Sequence, residues 1–224
     1  MSKTILITGA NRGIGLELAK QFKAKNHHVI ALCRHSSPEI ENIADQVINT
    51  IDCRNQQDLI KAKAACKATS IDILINNAGI LRNESLGAIH EQAINQIKDQ
   101  FLTNSLAPLM VTEHFLPLLK TGSKVILITS RMGSIADNDS GSRYGYRMSK
   151  AALNAAGKSL SIDLKDQGIA VGILHPGWVQ TEMTGYSGPM QPQESAQNLC
   201  CQIEKLNLNN SGHFFHANGE ALPW

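Results

Sequence analysis

The stretch TILITGANRGIGLELAKQF, residues 4–22, decides the fold. It joins a continuously apolar segment, Thr4–Thr8, to a glycine-rich turn and then to a helix that we predict over Gly13–Lys25. A strand without polar alternation is typical of a parallel strand covered on both faces. Glycines at 9, 13 and 15 allow a tight turn and close backbone approach to a pyrophosphate, which the N–H groups at the helix start then face. The stretch therefore predicts a nucleotide site; a plain glycine-rich turn is the alternative.

The same alternation of apolar strand and amphipathic helix continues along the chain. Such alternation predicts βαβ units and a doubly wound parallel sheet. The fold class is thus α/β, a single Rossmann-type domain over residues 1–224 with about seven strands. The predicted strands are Thr4–Thr8, His28–Cys33, Gln46–Ile51, Ile71–Asn76, Ser123–Thr129, Ile169–His175 and Gly212–Phe215. The other predicted helices are Gln57–Lys67, His90–Leu119, Tyr144–Lys165 and Gln193–Leu206, and the loosest loops are Ala136–Arg143 and Thr184–Gln193.

Composition excludes several classes of protein. The net charge of +2, from 21 basic and 19 acidic residues in 224, argues against a nucleic-acid-binding surface. We find no apolar run of the roughly 18–20 residues that a membrane span needs, and no secretory signal. The five cysteines are an odd number without C-x-x-C spacing, so we expect a reducing, cytoplasmic compartment. The histidines have no zinc-site spacing, and we expect no metal.

The residue after the second predicted strand indicates which dinucleotide is bound. NAD sites place an acidic residue about 20 positions beyond the glycines, to hold the ribose 2′-hydroxyl. Arg34 stands there instead, with no acidic residue between Asn26 and Pro38. An arginine can grip a 2′-phosphate that an acid would repel, so we predict NADP, with Arg12 as a second phosphate partner. The alternative is an ordinary surface arginine.

A tyrosine and a lysine indicate acid–base chemistry. Tyr146 and Lys150 are four residues apart in a predicted helix, so both side chains lie on one face. A nearby ammonium lowers the pKa of a phenol from about 10 toward a usable range. Ser130 follows a predicted strand, where its hydroxyl can donate to a substrate oxygen. Without the other two residues, Ser130 would simply begin a turn.

These motifs together resemble the short-chain dehydrogenase/reductase family over essentially the whole chain. The segments YGYRMSK (144–150), HPGWVQTEM (175–183) and GEALPW (219–224) are similar to its carbonyl-reductase branch, which includes the insect sniffer protein and the bacterial C-factor. The motifs that carry the resemblance are residues 8–15, Asn76-Asn77-Ala78-Gly79, Asn104, Ser130, Tyr146 with Lys150, and His175-Pro176-Gly177 with Thr181. Two departures are a longer serine-to-tyrosine spacing, with the extra residues in 137–143, and a short loop at 184–193, which suggests an open pocket.

The resemblance implies a role for each matching residue. Tyr146 would protonate the carbonyl oxygen, Lys150 would lower its pKa and bind the nicotinamide ribose, and Ser130 would hydrogen-bond the substrate oxygen. Asn104 would position a water that links Lys150 to solvent. The implied cofactor-binding set is Gly9, Asn11, Arg12, Gly13, Ile14, Gly15, Arg34, Asp52, Cys53, Asn77, Ala78, Gly79, Tyr146, Lys150, Pro176, Val179 and Thr181. Candidate substrate-lining residues are Met132, Ile135, Trp178, Met183 and Tyr186.

The sequence thus predicts an NADP(H)-dependent oxidoreductase that reduces an aldehyde, ketone or quinone carbonyl. A 3-oxoacyl reductase of fatty-acid synthesis and a low-turnover NADP(H)-binding regulatory protein are the alternatives. The expected partner is a small-molecule carbonyl compound, with no nucleic acid and no membrane. The family's pairing of the helices that carry Asn104 and Tyr146 suggests a homodimer or a tetramer.

Overall fold

The fold is built on a single parallel sheet. The computed structural model describes residues 2–224. Within them the strand order is β3-β2-β1-β4-β5-β6-β7, with every neighbouring pair parallel. The strands are β1 (Thr4–Thr8), β2 (His28–Leu32), β3 (Gln46–Ile48), β4 (Ile71–Asn76), β5 (Leu119–Ile128), β6 (Ala170–His175) and β7 (Phe214–His216). This topology confirms the predicted α/β fold.

Helices cover both faces of the sheet. Ile5 and Ile7 of β1 pack toward one face, whereas Leu6 between them packs toward the other, and all three are fully buried. This double burial is why β1 has no polar alternation. The helices are α1 (Gly13–Ala24), α2 (Pro38–Ile43), α3 (Gln56–Ala65), α4 (Glu91–Phe101), α5 (Ala107–Phe115), α6 (Tyr144–Asp163) and α7 (Pro192–Lys205). No helix in residues 2–224 is long and apolar enough to cross a membrane.

The predicted helix over His90–Leu119 is wrong in detail. A π-helical segment, Leu102–Leu106, separates α4 from α5, and a 3₁₀ turn, Leu116–Leu118, ends the run. Pro108 explains the irregularity, because proline has no N–H to donate to the carbonyl four residues earlier, which belongs to Asn104. Strand β5 then begins at Leu119 rather than Ser123, with a shift of register against β4.

The short helix α2 is absent from the sequence prediction. Ser37 begins it by accepting a hydrogen bond from the Ile40 N–H, and Pro38 occupies the first helical position. The Ser37 hydroxyl also donates to the Asn11 carbonyl at 2.9 Å, and this bond connects α2 to the glycine-rich turn.

The outer edge of β7 is covered by the residues that follow it. The chain turns back, so that Leu222 N–H donates to the Phe214 carbonyl and His216 N–H donates to the Glu220 carbonyl. Trp224 then stacks on Phe214, with ring centroids 5.6 Å apart. This edge of the sheet therefore offers few free backbone groups to another strand.

Candidate active site

The glycine-rich turn is shaped for close backbone approach. Gly9 and Gly13 have φ of 65° and 56°, the left-handed region that favours glycine. A Cβ on Gly15 would lie 2.3 Å from the Gly9 carbonyl oxygen and 2.4 Å from Asn77 Nδ2. Helix α1 begins at Gly13, and the side chain of Arg12 does not cap it. The turn thus presents backbone N–H groups without side-chain cover, and these features fit a dinucleotide phosphate.

Residues after β4 brace this turn. The Thr8 hydroxyl accepts hydrogen bonds from Asn77 N–H at 3.0 Å and Ala78 N–H at 3.1 Å. In return the Asn77 amide donates to the carbonyls of Thr8 and Gly9, at 3.0 and 3.1 Å. Thr8 therefore also shapes the turn. Its position at the end of a strand does not by itself predict this role.

Tyr146 and Ser130 meet at the carboxyl end of β5. Both side chains are buried. Burial raises the pKa of the Tyr146 phenol above its usual 10, while the Ser130 hydroxyl and the positive charge of Arg143 act in the opposite direction. The sequence points to Lys150 for that electrostatic role, and the structure adds Arg143 as a second cation that acts on the phenol.

Lys150 lies one helical turn beyond Tyr146 and is also buried. Its ammonium donates to the Ile128 carbonyl at 2.9 Å and lies 5.8 Å from the centroid of the Tyr146 ring. Loss of hydration lowers the pKa of Lys150 to about 8. The predicted sharing of one helix face by the phenol and the ammonium is therefore present.

Asn104 lies in the π-helical segment and joins two elements of the site. Its Oδ1 accepts from Ile80 N–H, and its Nδ2 donates to the Ile80 carbonyl, both at 2.8 Å. Nδ2 also donates to Ser149 Oγ at 3.0 Å, between the two catalytic candidates of α6. A Cβ on Gly79 would lie 3.2 Å from Asn104 Oδ1 and 3.7 Å from Lys150 Nζ. The four predicted catalytic residues are thus brought together.

The predicted adenosine-side residues lie beyond β2 and β3. Arg34 is exposed just after β2, and its charge contributes to lowering the pKa of Asp52, after the larger effect of a hydrogen bond from Arg54. That bond is part of an ion pair between Arg54 and Asp52 at 2.6 Å. Burial raises the pKa of Cys53 to about 12, so this residue is a neutral thiol.

Residues after β6 form the opposite wall. Pro176 and Val179 are buried, and Thr181 lies against the turn, its methyl group 3.6 Å from where a Cβ on Gly13 would be. Arg12 forms an ion pair with Glu182 across this cleft, and both side chains are exposed. The predicted phosphate partner Arg12 is therefore engaged with a carboxylate in this structure.

Comparison with known proteins assigns the family. A family model described as short chain dehydrogenase matches residues 3–192. The chain belongs to the short-chain dehydrogenase family. It is 33% identical to the 1-hydroxy-2-glutathionyl-2-methyl-3-butene dehydrogenase of Rhodococcus sp. (strain AD45), over 99% of each chain.

Two solved structures place this short-chain dehydrogenase beside carbonyl reductases. Carbonyl reductase Sniffer of D. melanogaster is 34% identical, with a TM-score of 0.90 over 100% of both chains. The NADPH-bound carbonyl reductase from chicken fatty liver is 28% identical, with a TM-score of 0.89 over 100% of this chain and 99% of that one. These similarities confirm the resemblance to the carbonyl-reductase branch, and the chain is an oxidoreductase of this family.

The candidate substrate-lining residues of this short-chain dehydrogenase are mostly exposed. Met132 is half-buried, whereas the other four are exposed apolar side chains that do not belong to the core. Their exposed fractions are 81% for Ile135, 61% for Trp178, 43% for Met183 and 70% for Tyr186. A 3₁₀ turn, Glu182–Thr184, is the only helical turn between β6 and α7 among the described residues, in agreement with the short loop expected there.

A buried carboxylate that the sequence analysis missed caps the start of α6. Glu84, in the loop after β4, accepts a hydrogen bond from Gly145 N–H at 3.1 Å and another from the Gln100 side-chain amide. A Cβ on Gly145 would lie 2.4 Å from Gln100 Nε2, so glycine permits this close approach. Helix α6 is therefore anchored by a residue 61 positions away, and no local capping motif signals it.

Proposed function

We propose that this chain reduces an aldehyde, ketone or quinone carbonyl to the alcohol with NADPH. The observation that carries the proposal is the convergence of Ser130, Tyr146, Lys150 and Asn104 beside the glycine-rich turn. A buried phenol beside a second hydroxyl and a buried ammonium can deliver a proton to a substrate oxygen. The similarity to carbonyl reductases supports the same reaction.

The residues around the turn would hold the cofactor. The backbone N–H groups at the start of α1 suit the pyrophosphate, and Thr181 with Val179 suits the nicotinamide end. Arg34 suits a 2′-phosphate, because no carboxylate stands at the position that NAD sites use for one. The NADPH-bound neighbour supports this preference. When bound, NADPH supplies a hydride to the carbonyl carbon, so that one carbonyl, one NADPH and one proton yield one alcohol and one NADP⁺.

The side chains would supply the proton and the geometry. Ser130 donates a hydrogen bond to the carbonyl oxygen, where negative charge develops, and Tyr146 transfers its proton to that oxygen. The ammonium of Lys150, beside the ring, stabilises the resulting phenolate. Asn104 holds a water through which the phenol is reprotonated from solvent, because Pro108 leaves its carbonyl without the usual helical donor.

Cofactor titration followed by turnover tests the proposal. NADPH and NADH are titrated by fluorescence into the wild type and Tyr146→Phe, which are then assayed with aldehydes, ketones, quinones and a 3-oxoacyl thioester. We expect tighter binding of NADPH, and a loss of turnover of about 10²–10⁴-fold in the variant with binding retained. Turnover of the thioester alone would replace the proposal with a 3-oxoacyl reductase. Tight NADPH binding without any turnover would replace it with a regulatory protein.

We also propose a homodimer through the outer face of α4, α5 and α6. Apolar side chains on this face are exposed by 39–50%, among them Phe101, Leu106, Leu109 and Met148. Such a patch is typical of an interface. Light scattering should give twice the chain mass for the wild type, and the single-chain mass for Leu106→Asp. Residues 1–224 would act as one domain, in a reducing compartment such as the cytoplasm.

A further inference from the structure

Arg143, the residue before α6, has an unusual backbone. Its φ is 52°, and that of Ser142 is 51°, in a region that residues other than glycine seldom adopt. The Arg143 N–H donates to the Glu84 carbonyl at 2.9 Å, which holds this conformation in place. Glycine would fit the position without strain, so the arginine side chain itself calls for an explanation.

The Arg143 guanidinium contacts one of the candidate substrate-lining residues. Its Nε donates to Asn83 Oδ1 at 3.1 Å, and its Nη1 lies 3.9 Å from the sulfur of Met132. Its positive charge lowers the pKa of Tyr146, which lies three residues further along the chain. This end of the guanidinium therefore lies beside Met132, a candidate substrate-lining residue two positions from Ser130.

Neighbouring arginines are engaged elsewhere, whereas Arg143 has no carboxylate partner within residues 2–224. Arg131 forms ion pairs with Asp137 and Glu220, at 2.9 and 3.3 Å. Arg147 donates to the carbonyls of Gly141 and Ser142 and to the Ser140 hydroxyl. A guanidinium carries five N–H donors, so Arg143 retains donors for a ligand after bonding to Asn83.

We propose that Arg143 binds a carboxylate on the substrate, so that the preferred substrates are carbonyl compounds that carry an acid group. This inference rests on the proposed carbonyl reduction and names its substrate class. A guanidinium binds a carboxylate through short, charge-assisted hydrogen bonds, and one fixed beside a substrate-lining residue would also orient the carbonyl. The strained backbone then has a function, since it holds the guanidinium beside Met132.

A matched pair of substrates tests the inference. The 3- and 4-isomers of carboxybenzaldehyde are compared with their methyl esters, which keep the aldehyde and ring but lack the charge. We expect Arg143→Gln to lower the ratio of kcat/KM for the better acid to kcat/KM for its ester about tenfold, at a pH below the alkaline limb of the profile. Arg82→Gln is the control, because the exposed side chain of that arginine bonds only to the carbonyl of its neighbour Leu81. An equal effect on acids and esters would overturn the proposal.

Two further measurements separate a failed inference from a failed fold or a failed function. Arg143→Gly relieves the backbone, so it should unfold no earlier than the wild type and still lose the preference for acids. Calorimetric titration with 4-(hydroxymethyl)benzoate, in the presence of NADPH, reports binding without turnover, because the alcohol and the nucleotide are both already reduced. Binding that is lost in Arg143→Gln would support the inference even if no aldehyde were reduced. Equal binding to both proteins would refute it even if the aldehydes were reduced.

Discussion

At the scale of single residues, the buried ammonium of Lys150 costs the protein stability. Burial lowers its pKa to about 8 from the usual 10.5, so between these values the unfolded chain binds more protons than the folded one. The free energy of unfolding therefore decreases as the pH falls from 10.5 to 8. Below pH 8 the full cost of burying the charged ammonium is present. The cost is tolerated at a site where the charge has a function.

Replacing Lys150 with Met should therefore stabilise the protein while removing turnover. The apolar side chain has a similar volume and needs no hydration, so we expect the free energy of unfolding at pH 7 to rise by roughly 1–3 kcal/mol. Urea denaturation at pH 7 and pH 10.5 measures this gain, which should be smaller at the higher pH. A less stable variant would mean that the bond from Lys150 to the Ile128 carbonyl outweighs the burial of charge.

The charge of Arg143 gives the pH profile a predictable response. Reduction requires a protonated Tyr146, so turnover should fall as the pH rises through the pKa of this phenol. The Arg143 charge lowers that pKa, and Arg143→Gln should therefore move the alkaline limb of kcat to higher pH. Profiles of kcat with a neutral ester substrate measure the shift, and an unmoved limb would contradict it.

Individual site residues differ in how far sequence alone predicts them. Tyr146 and Lys150 are predictable because their relation is local, four residues apart on one helix. Glu84 and Thr8 act on residues 61 and about 70 positions away, through contacts that exist only after folding. Arg143 has the same difficulty, since nothing local predicts its left-handed backbone.

At the scale of elements, the π-helical segment is the main departure from sequence expectation. Apolar periodicity predicts a helix over His90–Leu119 but does not resolve a single π-helical turn within a longer helical run. The informative residue is Pro108, whose missing N–H frees a carbonyl in the turn before it. This irregularity coincides with Asn104, as π-helical turns often coincide with functional sites.

Pro108→Ala tests whether the irregular turn serves the reaction. Alanine restores the N–H donor for the Asn104 carbonyl, so we expect the segment to become more regularly α-helical and to be no less stable. Removing the carbonyl from the proposed proton path should lower kcat about tenfold. Steady-state kinetics and thermal unfolding measure both effects, with Pro117→Ala in the later 3₁₀ turn as the control. An unchanged kcat would show that the π-helical turn does not contribute to catalysis.

The start of α6 depends on the buried Glu84 carboxylate. Glu84→Ala leaves the Gly145 N–H and the Gln100 amide without their partner, which should cost about 1–3 kcal/mol of stability. The exposed Glu113 of α5 provides the control, since its replacement by Ala should change stability by less than about 0.5 kcal/mol. Chemical denaturation of both variants measures the difference. Equal losses in the free energy of unfolding would show that Glu84 does not stabilise the start of α6.

At the scale of the whole molecule, the fold is predictable because the central strands are apolar on both faces. That pattern specifies a covered parallel sheet, and a parallel sheet brings the ends of β1, β4, β5 and β6 to one edge. Residues from Gly9 to Thr181 meet there as a consequence. The substrate-lining residues are harder to predict from sequence than the fold is, because the paths of their loops depend on contacts such as the Arg12–Glu182 ion pair.

Cofactor binding should be visible in global stability. A ligand that binds only the folded state at 100 times its Kd adds about 2.7 kcal/mol. NADPH should therefore raise the unfolding temperature more than NADH does at the same concentration. Arg34→Ala should reduce the difference between these two increases. Thermal unfolding with each nucleotide measures this, and a larger shift with NADH would contradict the role of Arg34.

The covered edge of β7 bears on how the protein behaves when it is crowded or heated. Sheets aggregate most readily by adding strands at an open edge, and the backbone that returns from Ala217 to Trp224 occupies this one. The opposite edge strand, β3, has only three residues. Neither edge offers a long template to another chain, so aggregation should have to wait for global unfolding rather than begin from the native state.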